Sequence, residues 1–325
     1  MRTYIIRRVA GSLFVVLAVL SLVFGLNHLA PGSPAVTILQ SNATPANVAA
    51  MNKQLGLDRP ILTQFVNYIW HALHGNFGNS YYSHTSALLS VLHRVPVTAE
   101  LAFLTIVISS LIAIGLATLN ARVRKGWLSK IIDVGTLLGL SIPTFLSGLL
   151  LLLLFGLYWR GIVPAGGWVF FNSSPVGNLK TTVLPVVALA LPTVAIIYRS
   201  LRASMNDVLD RDYVTFGRAA GFREGQVIRS VVLPNAILPT TTVVGLLLGY
   251  LLGGSLIIET TLSIPGLGQE VVNALQRRDF PVASASIAVI AVVFVTINLI
   301  IDVIYAFLSP RIRAMYSRKI RVGEI

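Results

Sequence analysis

The 325-residue chain has no cysteine, which excludes disulfide stabilisation, thiol catalysis and thiolate metal ligation. Charge is scarce as well: Asp, Glu, Lys and Arg make up 11% of the residues, 12 of them acidic and 25 basic. Motifs of nucleotide and hydrolytic chemistry are missing, with no GxxxxGK[ST] phosphate loop, no HExxH and no GxSxG. His71 and His74 share a helical face, but no third ligand stands at a metal-site spacing. The sequons at Asn42 and Asn172 occur at chance frequency. No basic patch interleaved with aromatics accompanies the positive charge, so nucleic acid is not an expected partner.

What the chain has is hydrophobicity, 55% of its residues being apolar with a mean hydropathy of +0.78. It reads as an integral membrane protein. A hydrocarbon core about 30 Å thick needs roughly 20 apolar residues per helix. Six segments qualify, at residues 9–30, 97–120, 132–157, 182–201, 236–261 and 282–308. The expected fold is therefore all-α with six transmembrane helices. The first segment is longer than the apolar core of a signal peptide and lacks an A-x-A site after it, so it reads as a retained anchor.

The formal charge of +13 follows the topology. With a cytoplasmic N-terminus, 18 of the 25 Lys and Arg lie on the cytoplasmic side: the cluster Arg2, Arg7 and Arg8, the group from Arg122 to Lys130, the group from Arg199 to Arg229, and the group from Arg311 to Arg321. The positive-inside rule then places both termini in the cytoplasm, with anionic membrane lipid as the contact of the basic residues. The chain divides into a cytoplasmic N-terminus (1–8), the first helix (9–30), an extracytoplasmic cap (31–96), a core of five helices (97–312) with a cytoplasmic loop at 205–235, and a cytoplasmic tail (313–325).

Within the cap, Ile61, Leu62, Phe65, Val66, Ile69 and Leu73 recur at helical spacing. That apolar face suits a membrane surface, a partner, or its own bundle. The acids near membrane segments, Glu100, Asp133, Glu259 and Asp302, fall on different helices. Helix pairing and interfacial position explain Asp133 and Glu259 at least as well as a proton relay. Pro143, Pro185 and Pro192 interrupt apolar segments, while Gly245, Gly249 and Gly253 repeat at four-residue intervals. Such residues serve close helix packing, or a bundle built to rock, in which Pro143, Pro192 and the three glycines act in gating.

One stretch is out of character with its surroundings: YVTFGRAAGFREGQVIRSVVLP, Tyr213 to Pro234. It places Gly217, Gly221 and Gly225 at even spacing among arginines, with Ala219, Ala220 and Phe222 between them. Glycine in a helix costs about 1 kcal/mol relative to alanine. Three of them suggest a bend, a cap, or close approach by another protein, and the apolar residues suggest a docking helix.

Here the sequence resembles the permeases of ABC importers, whose cytoplasmic loop carries E-A-A, three residues, Gly, nine residues, then I-x-L-P. Taking Gly221 as the glycine, the leading triplet is Thr215, Phe216 and Gly217, and the end falls on Val231, Val232, Leu233 and Pro234. The acid and alanines are missing, as in the peptide-importer branch, whose DYV-x-x-x-RA-x-G is matched by Asp212, Tyr213, Val214, Arg218, Ala219 and Gly221. LAPGSP, LGLDRP (55–60), GNFGNS (75–80), GLSIPTF (139–145), ETTLSIPGLG and RRDFPV (259–282) are similar to that branch in the same order.

The resemblance, to the first of two permease subunits in oligopeptide and dipeptide importers, implies a type I importer bundle in a bacterial cell membrane. It implies no catalysis in this chain, and ATP and Mg bound by two separate ATPase subunits. A helix around residues 216–226 would dock in one ATPase, using Arg218, Ala219, Ala220, Gly221, Phe222 and Arg223, with Leu233 and Pro234 closing the loop. A second, homologous permease would complete the pathway, and an extracytoplasmic binding protein would deliver peptide to the outer face. The cap and the segment Ile264, Pro265, Gly266, Leu267 and Gly268 are the candidates for that outer contact. Nickel, glutathione and oligosaccharide are the alternative cargoes. A secondary transporter would need its own coupling-ion site and often carries an inverted repeat; a membrane scaffold would need no pathway.

Overall fold

The computed structural model describes residues 2–29, 33–123 and 126–308. The tail 313–325, the basic residues Arg124 and Lys125, and Ala30 to Gly32 of the LAPGSP stretch lie outside the described residues. Among the described residues there is no strand, only one isolated antiparallel bridge between Asn79 and Ser86. The helices are α1 (Arg2–Leu29), α2 (Pro34–Leu39), α3 (Pro45–Gln54), α4 (Ile61–Leu73), α5 (Ala87–Leu92), α6 (Val95–Val123), α7 (Trp127–Ser141) and α8 (Thr144–Leu153). They continue with α9 (Pro175–Leu209), α10 (Asp212–Ala219), α11 (Glu224–Val227), α12 (Leu233–Gly254), α13 (Leu256–Thr261), α14 (Leu267–Arg277) and α15 (Phe280–Leu308).

Among the described residues, five stretches are long and apolar enough to cross a membrane: Ile6–Leu29, Ala87–Val123, Pro175–Leu209, Glu224–Gly254 and Phe280–Val303. The remaining expected span, 132–157, is broken. Its halves, α7 and Thr144–Tyr158, meet at 94°, and counting the pair as one span brings the total to six. Proline is the cause. Ile142 is extended (φ −80°, ψ 119°), as the residue before a proline prefers, and α8 restarts behind Pro143.

Two units form along the chain, residues 1–98 with 265–325, and residues 99–264. In the first, α15 packs on α1, α5 and α14. Ala87, Val91, Leu267, Ala274, Val282, Ala283, Ala285 and Val289 form its buried cluster, in which four alanines let the helix backbones approach closely.

The family-like stretches of the cap are turns and tethers. Gly56, in LGLDRP, takes φ +68° after α3, and Gln64 on α4 donates to the Leu57 and Arg59 carbonyls at 3.1 and 2.8 Å. GNFGNS joins RRDFPV: the Ser80 hydroxyl and the Tyr81 amide both donate to the Asp279 carboxylate, which is 5% exposed, and the Tyr82 hydroxyl donates to the Arg277 carbonyl at 2.7 Å. Burial, helped by the neighbouring Asp279 carboxylate, pushes the Tyr81 phenol up to about 12.

The second unit is organised on α9, which packs against α7, α8, α12 and α13. Small residues allow the closest approaches. A Cβ on Gly139 would sit 3.1 Å from the Leu191 carbonyl oxygen, and one on Gly148 2.8 Å from Ile258 Cδ1. Pro185 and Pro192 stand inside α9. Pro192 has no N–H for the Ala188 carbonyl; the Ser147 hydroxyl of α8 lies 3.4 Å from that oxygen while donating to the Thr144 carbonyl of its own helix at 2.7 Å. Gly245 and Gly249 are buried in α12, whereas Gly253 is exposed where the helix gives way to α13. The glycine repeat therefore supplies two packing positions, not three.

Candidate functional site

The polar stretch at 213–234 folds as one short helix, α10, and the first turns of the span Glu224–Gly254, rather than the single helix expected over 216–226. The break follows from Gly221, which takes φ +87°. An L side chain avoids that conformation and glycine does not. It closes α10: the Gly221 amide donates to the Arg218 carbonyl at 3.0 Å and the Phe222 amide to the Gly217 carbonyl at 3.2 Å. The chain then restarts as α11, where the Gln226 side chain accepts from the Arg223 amide at 3.1 Å.

Arg218 reaches across this turn. Its Nε and Nη2 donate to the two carboxylate oxygens of Glu224, each at 3.1 Å, so the expected donor to a partner is already engaged within the chain. Sequence spacing hides the pair, because residues six apart do not meet on a helix. Only the turn at Gly221 brings them together.

Below the turn, Val214, Val227, Ile228 and Val232 are fully buried and fix it to the unit. Above it, Ala219, Ala220, Gly221, Phe222 and Arg223 are exposed, and Tyr213 and Phe216 join Phe222 as uncovered aromatics at 46%, 74% and 55%. The neighbourhood is thus an apolar, cation-edged knob on a braced turn. Arg122, near the end of α6, lays its guanidinium over Gly225, about where a Cβ there would meet it at 3.8 Å. Leu233 is half-buried and Pro234 exposed at the start of α12. Ahead of them Ile228–Val232 winds as a π-helix, with the Leu233 amide donating to the Ile228 carbonyl. The wider turn accommodates Pro234, whose ring would crowd the carbonyl four residues back.

A polar cluster stands behind the turn. Asp133 on α7 pairs with Arg202 on α9 and accepts from the Tyr198 hydroxyl at 2.6 Å. The Asn120 side chain on α6 donates to that hydroxyl at 2.6 Å, and the Ser129 hydroxyl donates to Asn120 Oδ1 at 3.0 Å. Three membrane helices are tied together by one network. Arg202 and Arg218 line the same cavity of about 500 Å³, with Asn120, Asp210 and Met205 among its other walls. Of the network residues the sequence had singled out only Asp133, as an intramembrane acid; Asn120, Tyr198 and Arg202 carry no motif.

Two of the other acids near membrane segments are also engaged. Asp302 pairs with Arg8 at 2.8 Å, and the buried Glu259 accepts from the Ser255 hydroxyl at 2.7 Å. Asp133 is paired between packed helices, as expected, whereas the bond of Glu259 is to the residue that precedes its own helix. At the expected outer contact, the structure corrects the reading. Ile264 and Leu267 are buried, as are Gly266 and Gly268, and the Leu267 amide donates to the Thr98 hydroxyl at 2.8 Å. Only Pro265 of that segment is partly open, because the SIPGLG turn is packed to start α14.

Two family descriptions match the chain: the binding-protein-dependent transport system inner membrane component over residues 96–314, and the N-terminal membrane component of the same systems over residues 1–102. A peptide transport system permease protein named from Brucella abortus (strain 2308) is 34% identical over 313 residues, covering 96% of this chain and 99% of its own. A D,D-dipeptide transport system permease, DdpB of Escherichia coli (strain K12), is 33% identical and covers 94% and 96%. The glutathione transport system permease GsiC of Salmonella typhi is 34% identical and covers 96% and 99%. The helical architecture and the matches along nearly its whole length place the chain in the family of binding-protein-dependent transport system inner membrane components.

Proposed function

We propose that the chain is one transmembrane half of an ATP-driven importer carrying peptides into the cytoplasm, with the turn at Gly221 as its contact to a separate ATPase. The observation that carries the reading is the exposed trio Tyr213, Phe216 and Phe222 around a braced left-handed glycine, in a loop between two membrane spans. A loop merely in water has no use for three uncovered aromatics, whereas aromatics concentrate binding energy at protein interfaces. The peptide cargo rests on the names of the relatives.

In this reading both termini are cytoplasmic and ATP and Mg belong to the partner ATPases. A second permease completes the pathway and a binding protein delivers cargo to the cap at 31–96. Closure of the ATPases moves the docked turn. Through Arg218, the shared cavity and Arg202, that movement reaches the Asp133–Tyr198–Asn120 network and so α6, α7 and α9. Coupling then consists of a docked partner biasing a bundle between two states.

The test is mild-detergent purification of the tagged chain from its native membranes, beside a Gly221→Asp variant, with uptake of labelled dipeptides, oligopeptides and glutathione measured in the same cells. The expected result is an ATPase and a second six-helix permease with the native chain, loss of the ATPase alone with the variant, and uptake of peptide. A native chain that comes out folded and alone would overturn the importer reading. Glutathione as the only cargo taken up would overturn the peptide assignment and leave the coupling assignment standing.

A further inference from the structure

Helix α4 presents its faces in an order that water would not select. Leu62, Val66, Trp70 and Leu73 point away from the protein and are 73%, 59%, 63% and 52% exposed. Gln64, Asn67, Tyr68 and His71, on the opposite side, border a cavity of about 500 Å³ with Arg59, Asn27 and Ser284. A helix beside water turns its polar face outward and buries its apolar stripe.

Its position supplies the occupant. The Phe24 ring of α1 meets Phe65 of α4 edge-on and Tyr68 at a tilt, at centroid distances of 5.3 and 5.5 Å. Phe24 lies on the membrane-spanning stretch Ile6–Leu29, near the end remote from Arg7 and Arg8. Five residues separate it from Leu29, about 7.5 Å of helix. Thus α4 is held beside the last turns of a membrane span, at the depth where hydrocarbon gives way to headgroups. It carries no Lys, Arg, Asp or Glu, so no charge would have to be desolvated there. Trp70, with its ring 4.4 Å from that of His74, is of the residue type that collects at this boundary.

We propose that α4 is an in-plane membrane helix, its Leu62–Val66–Trp70–Leu73 face sunk in the leaflet on the side remote from the N-terminus. The cap is then seated on the bilayer as well as on α1. An interfacial helix of this kind buries its apolar face about 5–10 Å into the headgroup and acyl boundary.

Because the chain has no cysteine, each introduced site is its only thiol, and the complex with the unsubstituted chain, labelled in parallel, gives the background from partner subunits. Leu62→Cys, Val66→Cys and Leu73→Cys, with Asn67→Cys and Asp58→Cys as references, would each be spin-labelled in the intact transport complex. The complex would be reconstituted in vesicles of phosphatidylethanolamine and phosphatidylglycerol. Accessibility to oxygen and to a water-soluble nickel chelate would then be compared. The expected result is that labels at 62, 66 and 73 see oxygen but not nickel, at a depth of about 5–10 Å, while those at 58 and 67 see nickel. Nickel access at 62, 66 and 73 would place the face in water. Shielding of those sites from both reagents would place a protein there, such as the second permease. Either result overturns the proposal.

Discussion

Arg218 and Glu224 hold each other through two hydrogen bonds of 3.1 Å across the turn at Gly221, at the tip of the loop between α9 and α12. Both side chains are partly exposed, at 31% and 40%, and exposed ion pairs contribute only about 0–1 kcal/mol. Removing one partner should therefore leave membrane abundance unchanged while loosening the docking turn. Glu224→Gln is expected to lower peptide uptake several-fold, and the charge swap Arg218→Glu with Glu224→Arg to recover much of it. Equal uptake in Glu224→Gln and wild type would remove the pair from the coupling machinery.

Gly221 has two separable properties, a left-handed backbone and the lack of a side chain. Its Cβ direction is open space within the chain, with nothing inside 4 Å, so substitution strains only the backbone, by about 1–2 kcal/mol for most residues and less for asparagine. If conformation alone matters, Gly221→Asn transports and Gly221→Val does not. If a partner backbone lies against it, both fail while the chain remains in the membrane. The proposed docking predicts the second pattern, read as uptake normalised to membrane abundance.

Asp133 and Arg202 are bridged between α7 and α9, with Tyr198 on the same carboxylate. Taking away one charge leaves the other in a largely apolar bundle. Asp133→Asn is expected to destabilise the chain by about 1–3 kcal/mol, short of the 3–5 for a fully buried pair because each side chain is about one-third exposed. Adding Arg202→Gln should restore part of the loss. Thermal unfolding in detergent measures both, and additive losses would argue against coupling.

Tyr81 gives the cap an alkaline limit. Its phenol, raised to about 12 in the fold by burial and by Asp279, ionises near 10 in the unfolded chain. The unfolded state loses its proton first, so the contribution is complete below pH 10 and is lost as pH rises toward 12. Two units correspond to at most about 2.7 kcal/mol. Tyr81→Phe should flatten the decline in cap stability over that window, followed by limited proteolysis of residues 33–94. A decline as steep in the variant would assign it to another group.

Hydropathy and charge counts by themselves determined that this is an all-α membrane chain, because a bilayer imposes a length and a composition on every span that crosses it. Motif order pointed to the permease family and to the polar loop at 213–234 for the same kind of reason: glycine, proline and charge in an apolar chain are local features read one residue at a time. The tertiary structure decided what depends on distance. Residues 132–157 are apolar enough for one span, yet the 94° break at Pro143 splits them. Glu224 becomes the partner of Arg218 only after Gly221 turns the chain, and Ile264 to Gly268, which the family resemblance suggested as an outer contact, are mostly buried. Asn120, Tyr198 and Arg202 are unremarkable in the sequence, and α6, α7 and α9 must pack before they meet Asp133. The side of α4 that faces outward was settled in the same way, since periodicity specifies an apolar face but only packing against α1 decides which side of the helix is covered.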